Sequence, residues 1–130
     1  MYFVYLLRYY KNKESLDKGF PVNGHIIYTG YSSDVVRRLH EHITMKRYSK
    51  RPTYTSQFGG CVRLMYIEIY DDKNEALLRE REIKKFSRDK KIFLVQNMRK
   101  ELKNIIKTIN NVVLNRIKLK NVMMVKNKKS

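Results

Sequence analysis

The run YFVYLLRYY, residues 2–10, carries aromatic or aliphatic side chains on both alternating faces of any strand built from it. A strand of that kind is stable only when it is buried on both sides. Two further runs read as strands. HIIYTG, residues 25–30, is short and ends on a glycine, and CVRLMYIEIY, residues 61–70, is rich in β-branched and aromatic residues. The first two are separated by KNKESLDKGFPVNG, whose Gly, Pro and Asn read as a long hairpin loop that pairs them antiparallel.

Helical patterns fill much of the rest. SSDVVRRLHEHI offers Ser32 or Ser33 as an N-cap, Asp34 in the first turn, and an apolar stripe of Val35, Leu39 and Ile43. Residues 44–60 are basic, aromatic and polar, with Pro and paired Gly, and read as a loop. KNEALLREREIKKFSRDKK is helical after a turn at Asp71 and Asp72. Beyond it, Met98, Leu102, Ile105, Ile109 and Val112 form a heptad-like seam. That seam fits a helix laid on its own sheet, or one that meets a second copy or another protein through residues 98–112. VMMVKNKKS is expected to fray. The division that follows is a domain over residues 1–95 and a basic, amphipathic helical extension over 96–130.

Charge narrows the partners. The 130 residues include 29 Lys or Arg against 12 Asp or Glu, a net of +17. Residues 101–130 account for +7 of it, so the excess is spread over the whole chain. A polyanion is the natural partner, and nucleic acid the commonest one. No acylation signal and no long uncharged apolar run points to a membrane. Cys61 is the only cysteine, which excludes an intramolecular disulfide and a cysteine-rich zinc site. The start of the chain has no basic leader or cleavage site, so an intracellular, non-secreted protein is expected.

A few residues stand out as candidates for chemistry. Arg38 and His42 are four apart and project from one helix face beside the apolar stripe, whereas Arg37 points elsewhere and suits phosphate contact. By itself such a pair is more often an ordinary solvated face. Glu80 falls between Ala76 and Ile83 inside an apolar stripe, where a carboxylate is costly unless paired or bound to a cation. Its plain alternative is an ion pair with Arg63 or Arg8. Tyr5 and Tyr28 are distinguished among ten tyrosines by lying on the first two strands. No acidic cluster for two metals is present, so a single-metal site is the most this chain can build.

The order of these parts is similar to that of the GIY-YIG nuclease domain. VYL at residues 4–6 resembles its GIY element, YTG at 28–30 its YIG element, and YTGYSSDVVRRLHEH its signature, with Arg38 eight residues after Gly30. EALLREREIKKFSRDKK resembles the helix that carries the metal-binding glutamate, here Glu80. The resemblance covers roughly residues 2–95 and is nearest to the small stand-alone branch. It departs from the pattern in the lost glycine of GIY, in a longer loop between the two motifs, and at Ile92, where some relatives place an asparagine.

The resemblance implies an α+β fold: a small three-stranded antiparallel sheet flanked by helices, followed by a C-terminal helical extension. It also implies a metal-dependent DNA endonuclease. In that reading Tyr5 and Tyr28 are the candidate bases, Arg38 the catalytic cation, His42 a proton carrier or orienting group, and Glu80 the ligand of one Mg²⁺ or Mn²⁺ ion. Arg37, Lys46, Arg47, Lys84, Lys85 and Arg88 are the expected DNA contacts. The expected substrate is DNA, branched or flapped, cut in repair or recombination, with a virus or mobile element among the contexts. The alternatives are a catalytically inactive DNA-binding module and a homing or restriction enzyme.

Overall fold

The computed structural model of the protein describes residues 1–10, 26–44 and 62–128, with side chains in the last helix as far as Lys120. In chain order these form β1 (Tyr2–Tyr9), β2 (Ile26–Ser32), α1 (Val35–Thr44), β3 (Val62–Tyr70), α2 (Lys73–Lys84), α3 (Arg88–Gln96) and α4 (Lys100–Lys128). The expected hairpin loop, Lys46, Arg47 and Cys61 lie outside the described residues.

The three strands make one antiparallel sheet in the order β2-β1-β3. The doubly apolar first run is therefore the central strand, and each of its faces is covered. Tyr5, Leu7 and Tyr9 point to one side, where Val35 and Leu39 of α1 and Ile106 and Val113 of α4 complete a core. Val4 and Leu6 point to the other, against Ala76 and Ile83 of α2, with Phe86, Leu94 and Val95 packed around them. Burying an aliphatic side chain of this size stabilises a fold by roughly 1.5–3 kcal/mol, so β1 is the strand on which both layers depend. Its pairing with β3 shifts register between Leu6 and Leu7: Leu6 faces Tyr66 while Leu7 faces Leu64, leaving Met65 as the extra residue of a bulge.

Several local expectations change. β2 does not end at Gly30 but continues to Ser32, so Tyr28 stands within the strand. Asp34, rather than Ser32 or Ser33, caps α1. Its Oδ1 accepts the Arg37 N–H at 3.1 Å, while the Ser32 hydroxyl oxygen accepts the Asp34 N–H at 2.9 Å. The helical run after Asp72 is two helices, not one. Ser87 adopts extended backbone, its hydroxyl accepts the Lys90 N–H, and a new helix starts there. The break lets Phe86 turn back onto the core.

The last helix packs on its own sheet through Leu102, Ile106, Ile109, Val113 and Ile117, with Met98, just before the helix, beside them. Ile105, placed in the expected seam, is 40% exposed, and Val112 is only partly buried. The observed spacing is close to the 3.6-residue period of a helix lying on a globular core, not the 3.5 of a coiled coil. The Asn110 amide also donates to the Leu64 carbonyl and accepts its N–H, both at 2.9 Å, which satisfies backbone groups of β3 from the side chain of α4. Where fraying was expected, the helix continues to Lys128.

Candidate active site

Tyr5 and Gly30 are directly opposed on β1 and β2. A Cβ on residue 30 would sit 2.5 Å from the Tyr5 Cζ and hydroxyl oxygen. Only a glycine leaves room for the phenol, so its part is a seat for the ring and not the end of a strand. Tyr5 is 1% exposed, and its hydroxyl is buried without a hydrogen-bond partner. Burial pushes its pKa up, while the Arg38 guanidinium pulls it back. The other charges acting on this hydroxyl are those of Tyr28 and Glu80. Three more of the residues singled out in the sequence, on β2, α1 and α2, are thus within electrostatic reach of Tyr5 on β1.

Arg38 leaves α1 at the edge of the core, with a third of its side chain exposed. Its Nη1 donates to Glu41 Oε2 at 2.6 Å. Burial works against its charge, but Tyr5 and Glu41 outweigh that and its pKa is raised. His42 is more deeply placed than a core-edge position. Burial, followed by the nearby Arg38 charge, lowers its pKa to about 4 against a weaker pull from Glu41, so the ring is neutral near pH 7. Its Nδ1 is 2.6 Å from the Tyr9 hydroxyl, and its Nε2 is buried without a partner. The Tyr28 ring lies 5.0 Å from the imidazole and 6.5 Å from the Tyr9 ring.

Glu80 lies as expected between the buried Ala76 and Ile83, its side chain 16% exposed. Its partner is neither Arg63 nor Arg8 but Lys84, whose Nζ is 2.9 Å from Oε1. The preceding residue on α2, Arg79, is tied to β3. It donates to both carboxylate oxygens of Glu68, which also accept the hydroxyls of Tyr66 and Tyr70. Burial opposes the Glu68 charge, yet these four donor contacts hold its pKa below the usual carboxylate value, and the Tyr70 phenol is pushed up to about 12 by burial and by Glu68. This buttress fixes α2, and with it Glu80, against the sheet.

Among the described residues no group of three or more His, Cys, Asp or Glu side chains gathers to hold a metal. The donor set fits a hard divalent ion held by one carboxylate, with water and substrate oxygens as its remaining ligands. Glu80 already has a cation at one oxygen, which is consistent with that role. The expected DNA contacts Arg37, Lys85 and Arg88 are exposed, whereas Lys84 is engaged with Glu80.

Two residues were missed, Tyr9 and Glu41, and Lys84 was expected as a DNA contact rather than as the partner of Glu80. Tyr9 shares a strand face with Tyr5 through the two-residue alternation, Glu41 is three residues from Arg38, and Lys84 is four from Glu80. Those spacings were the available signals.

A central strand with a buried tyrosine, a glycine seat across from it, a helix with arginine and histidine, and a helix with a glutamate are the parts that the sequence resemblance called for. Residues 1–92 match the GIY-YIG catalytic domain, and the chain belongs to that family. Nuclease activity in general is what this membership implies. Among its relatives, the UPF0213 protein SSP2268 of Staphylococcus saprophyticus is 42% identical over 69 residues, which is 53% of this chain and 78% of the relative. A UPF0213 protein of Staphylococcus aureus is 40% identical over 70 residues, 54% of this chain and 79% of the relative. The solution structure of the UPF0213 protein BH0048 from Bacillus halodurans is similar at 30% identity, with a TM-score of 0.38. That match covers 73% of this chain and 82% of the other.

Proposed function

We propose that this chain is a divalent-metal-dependent DNA endonuclease, selective for DNA structure and acting inside the cell in repair or recombination. The observation that carries the reading is the match of residues 1–92 to a nuclease catalytic domain, with Tyr5 seated on Gly30 and within electrostatic reach of Arg38, Tyr28 and Glu80. The +17 charge supports a nucleic-acid substrate. No described helix is long and apolar enough to cross a membrane.

Hydrolysis of a phosphodiester needs a water relieved of its proton, charge relief on the phosphoryl oxygens and a stabilised leaving oxygen. Arg38 supplies a fixed cation, held in place by Glu41, where negative charge develops. Tyr5 is the phenol on which the Arg38 charge acts. A phenol needs such a cation to accept a proton near neutrality. Burial still outweighs Arg38 and keeps the Tyr5 pKa raised, so Arg38 makes Tyr5 the better-placed candidate for the base without by itself bringing it to neutrality. Tyr28, packed on the neutral His42 ring, is the second phenol of the site, and Tyr9 orients His42. A Mg²⁺ or Mn²⁺ ion on Glu80 would supply Lewis acidity at the phosphate and the leaving group. To admit it, the Lys84 ammonium must move off the carboxylate.

The test is cutting and binding measured separately on a panel of duplex, single-stranded, flap, fork and four-way-junction DNA. Arg38→Ala and Glu80→Gln, checked for folding by thermal unfolding, should each lower the cutting rate by about 10²–10³. Binding should stay within a few fold. Cutting at the wild-type rate by both folded variants in Mg²⁺ would sink the assignment. Wild-type binding without cutting in either metal would leave an inactive DNA-binding module.

A further inference from the structure

A cleft between α1 and α4 has a cavity volume of about 430 Å³ and is lined by Asp34, Val36, Arg37, His40, Val113 and Arg116. Arg37 and His40 are three apart on α1 and therefore neighbours on one face. Arg116 comes from α4 and takes part in no ion pair among the described residues. Val113, at 0% exposure, gives the cleft an apolar floor. Of the acidic groups nearby, Asp34 is engaged with the Arg37 backbone N–H, and Glu41 reaches the Arg37 Nε only at 3.8 Å while donor contact with Arg38 holds it at 2.6 Å. Two guanidinium groups over a low-dielectric floor, set against the one carboxylate of Asp34, leave a net positive field in a space that an anion can enter, with the His40 ring as a further polar group.

Its position names the anion. Arg37 and Arg38 are successive residues of one helix, so their side chains leave α1 about 100° apart, and a helix with its side chains is only about 10–12 Å across. We infer that this cleft seats a backbone phosphate of the DNA whose scissile phosphate lies at Arg38, and that α4 is therefore part of the DNA-binding surface. The inference rests on the endonuclease reading and goes beyond the matched domain, which ends at residue 92. Two guanidinium groups sharing one phosphate act as a unit. Removing either loses most of the contact, and removing the second adds little.

The experiment is fluorescence anisotropy with a short labelled duplex, without divalent metal so that nothing is cut, over a series of salt concentrations. Arg37→Ala, Arg116→Ala and the double variant should each weaken binding several-fold at low salt, with the double close to either single. The slope of log affinity against log salt should become shallower by about 0.9, the share of one phosphate. Arg116→Lys, which keeps the charge, should retain the wild-type slope, and this separates loss of charge from disturbance of the helix. Wild-type slopes in both alanine variants would overturn the cleft while leaving the nucleic-acid reading in place. Fully additive losses would overturn the shared seat in favour of two separate contacts. A flat salt response of the wild-type protein would overturn the cleft together with the endonuclease reading.

Discussion

Replacing Gly30 with alanine tests the geometry of the site without assuming any activity. The added Cβ would lie 2.5 Å from the Tyr5 Cζ and hydroxyl oxygen and 2.7 Å from Cε2. Ordinary carbon contacts begin at about 3.5 Å, so the ring and strand β2 must separate by about 1 Å. Neither side can yield easily. Tyr5 is enclosed by the core, and Gly30 is in a paired strand next to the Arg38 helix. Overpacking of this kind costs about 1–3 kcal/mol, which chemical denaturation resolves as a lower midpoint at unchanged slope. The cause is isolated by a double-mutant cycle: in a Tyr5→Ala background the clash is gone, and Gly30→Ala should cost under about 0.5 kcal/mol. An equal cost in both backgrounds would show that the glycine is required for some reason other than the phenol. If the protein cuts DNA as proposed, the displaced phenol should also lower the rate by about 10²-fold, since a shift of this size spoils a reacting geometry.

Tyr5→Phe should reduce cutting more than Tyr28→Phe in single-turnover assays, because Tyr5 is the phenol under the influence of Arg38; the reverse order would transfer the role of base to Tyr28. Ile106→Ala should destabilise the fold by about 2–5 kcal/mol, whereas Ile105→Ala should change it by less than about 0.5 kcal/mol; equal effects in thermal melts would reject the packing face described for α4. His42 adds a pH dependence of known sign. Its pKa is near 6.5 unfolded and about 4 folded, so between these values the unfolded chain binds more protons. Its contribution is complete above pH 6.5 and declines as the pH falls towards 4, and His42→Gln should flatten that part of the stability curve; an unchanged curve would refute the buried neutral ring.

Much of this was legible in the residues. The strands announced themselves through aromatic and β-branched runs, and Arg38 with His42 and Glu80 with its apolar neighbours could be placed by helix geometry alone. The remainder depended on contacts between distant segments. Ile105 and Ile106 are equally apolar neighbours, and no periodicity chooses between them until the sheet sets the rotation of α4. Ser87 follows an unbroken helical pattern, and its role as a cap depends on Phe86 having a core to turn towards. The Glu68 buttress joins β3 to α2: alternation alone puts Tyr66, Glu68 and Tyr70 on one strand face, but only the packing of α2 brings Arg79 to the carboxylate. Gly30 looked like punctuation because its function lies on the opposite strand.

The position of β1 also has a consequence for how the chain reaches its native state. Residues 2–9 leave the ribosome before either of their neighbours, yet they form the middle of the sheet, and their partners on β3 are made only at residues 62–70. Until then a segment apolar on both faces, with open hydrogen-bonding edges, has no permanent cover. Long-range pairing of this sort is intrinsically slow, and the exposed strand is a template for association with other chains. Refolding yield should therefore fall as protein concentration rises, with transient cover of the first strand by a chaperone restoring it.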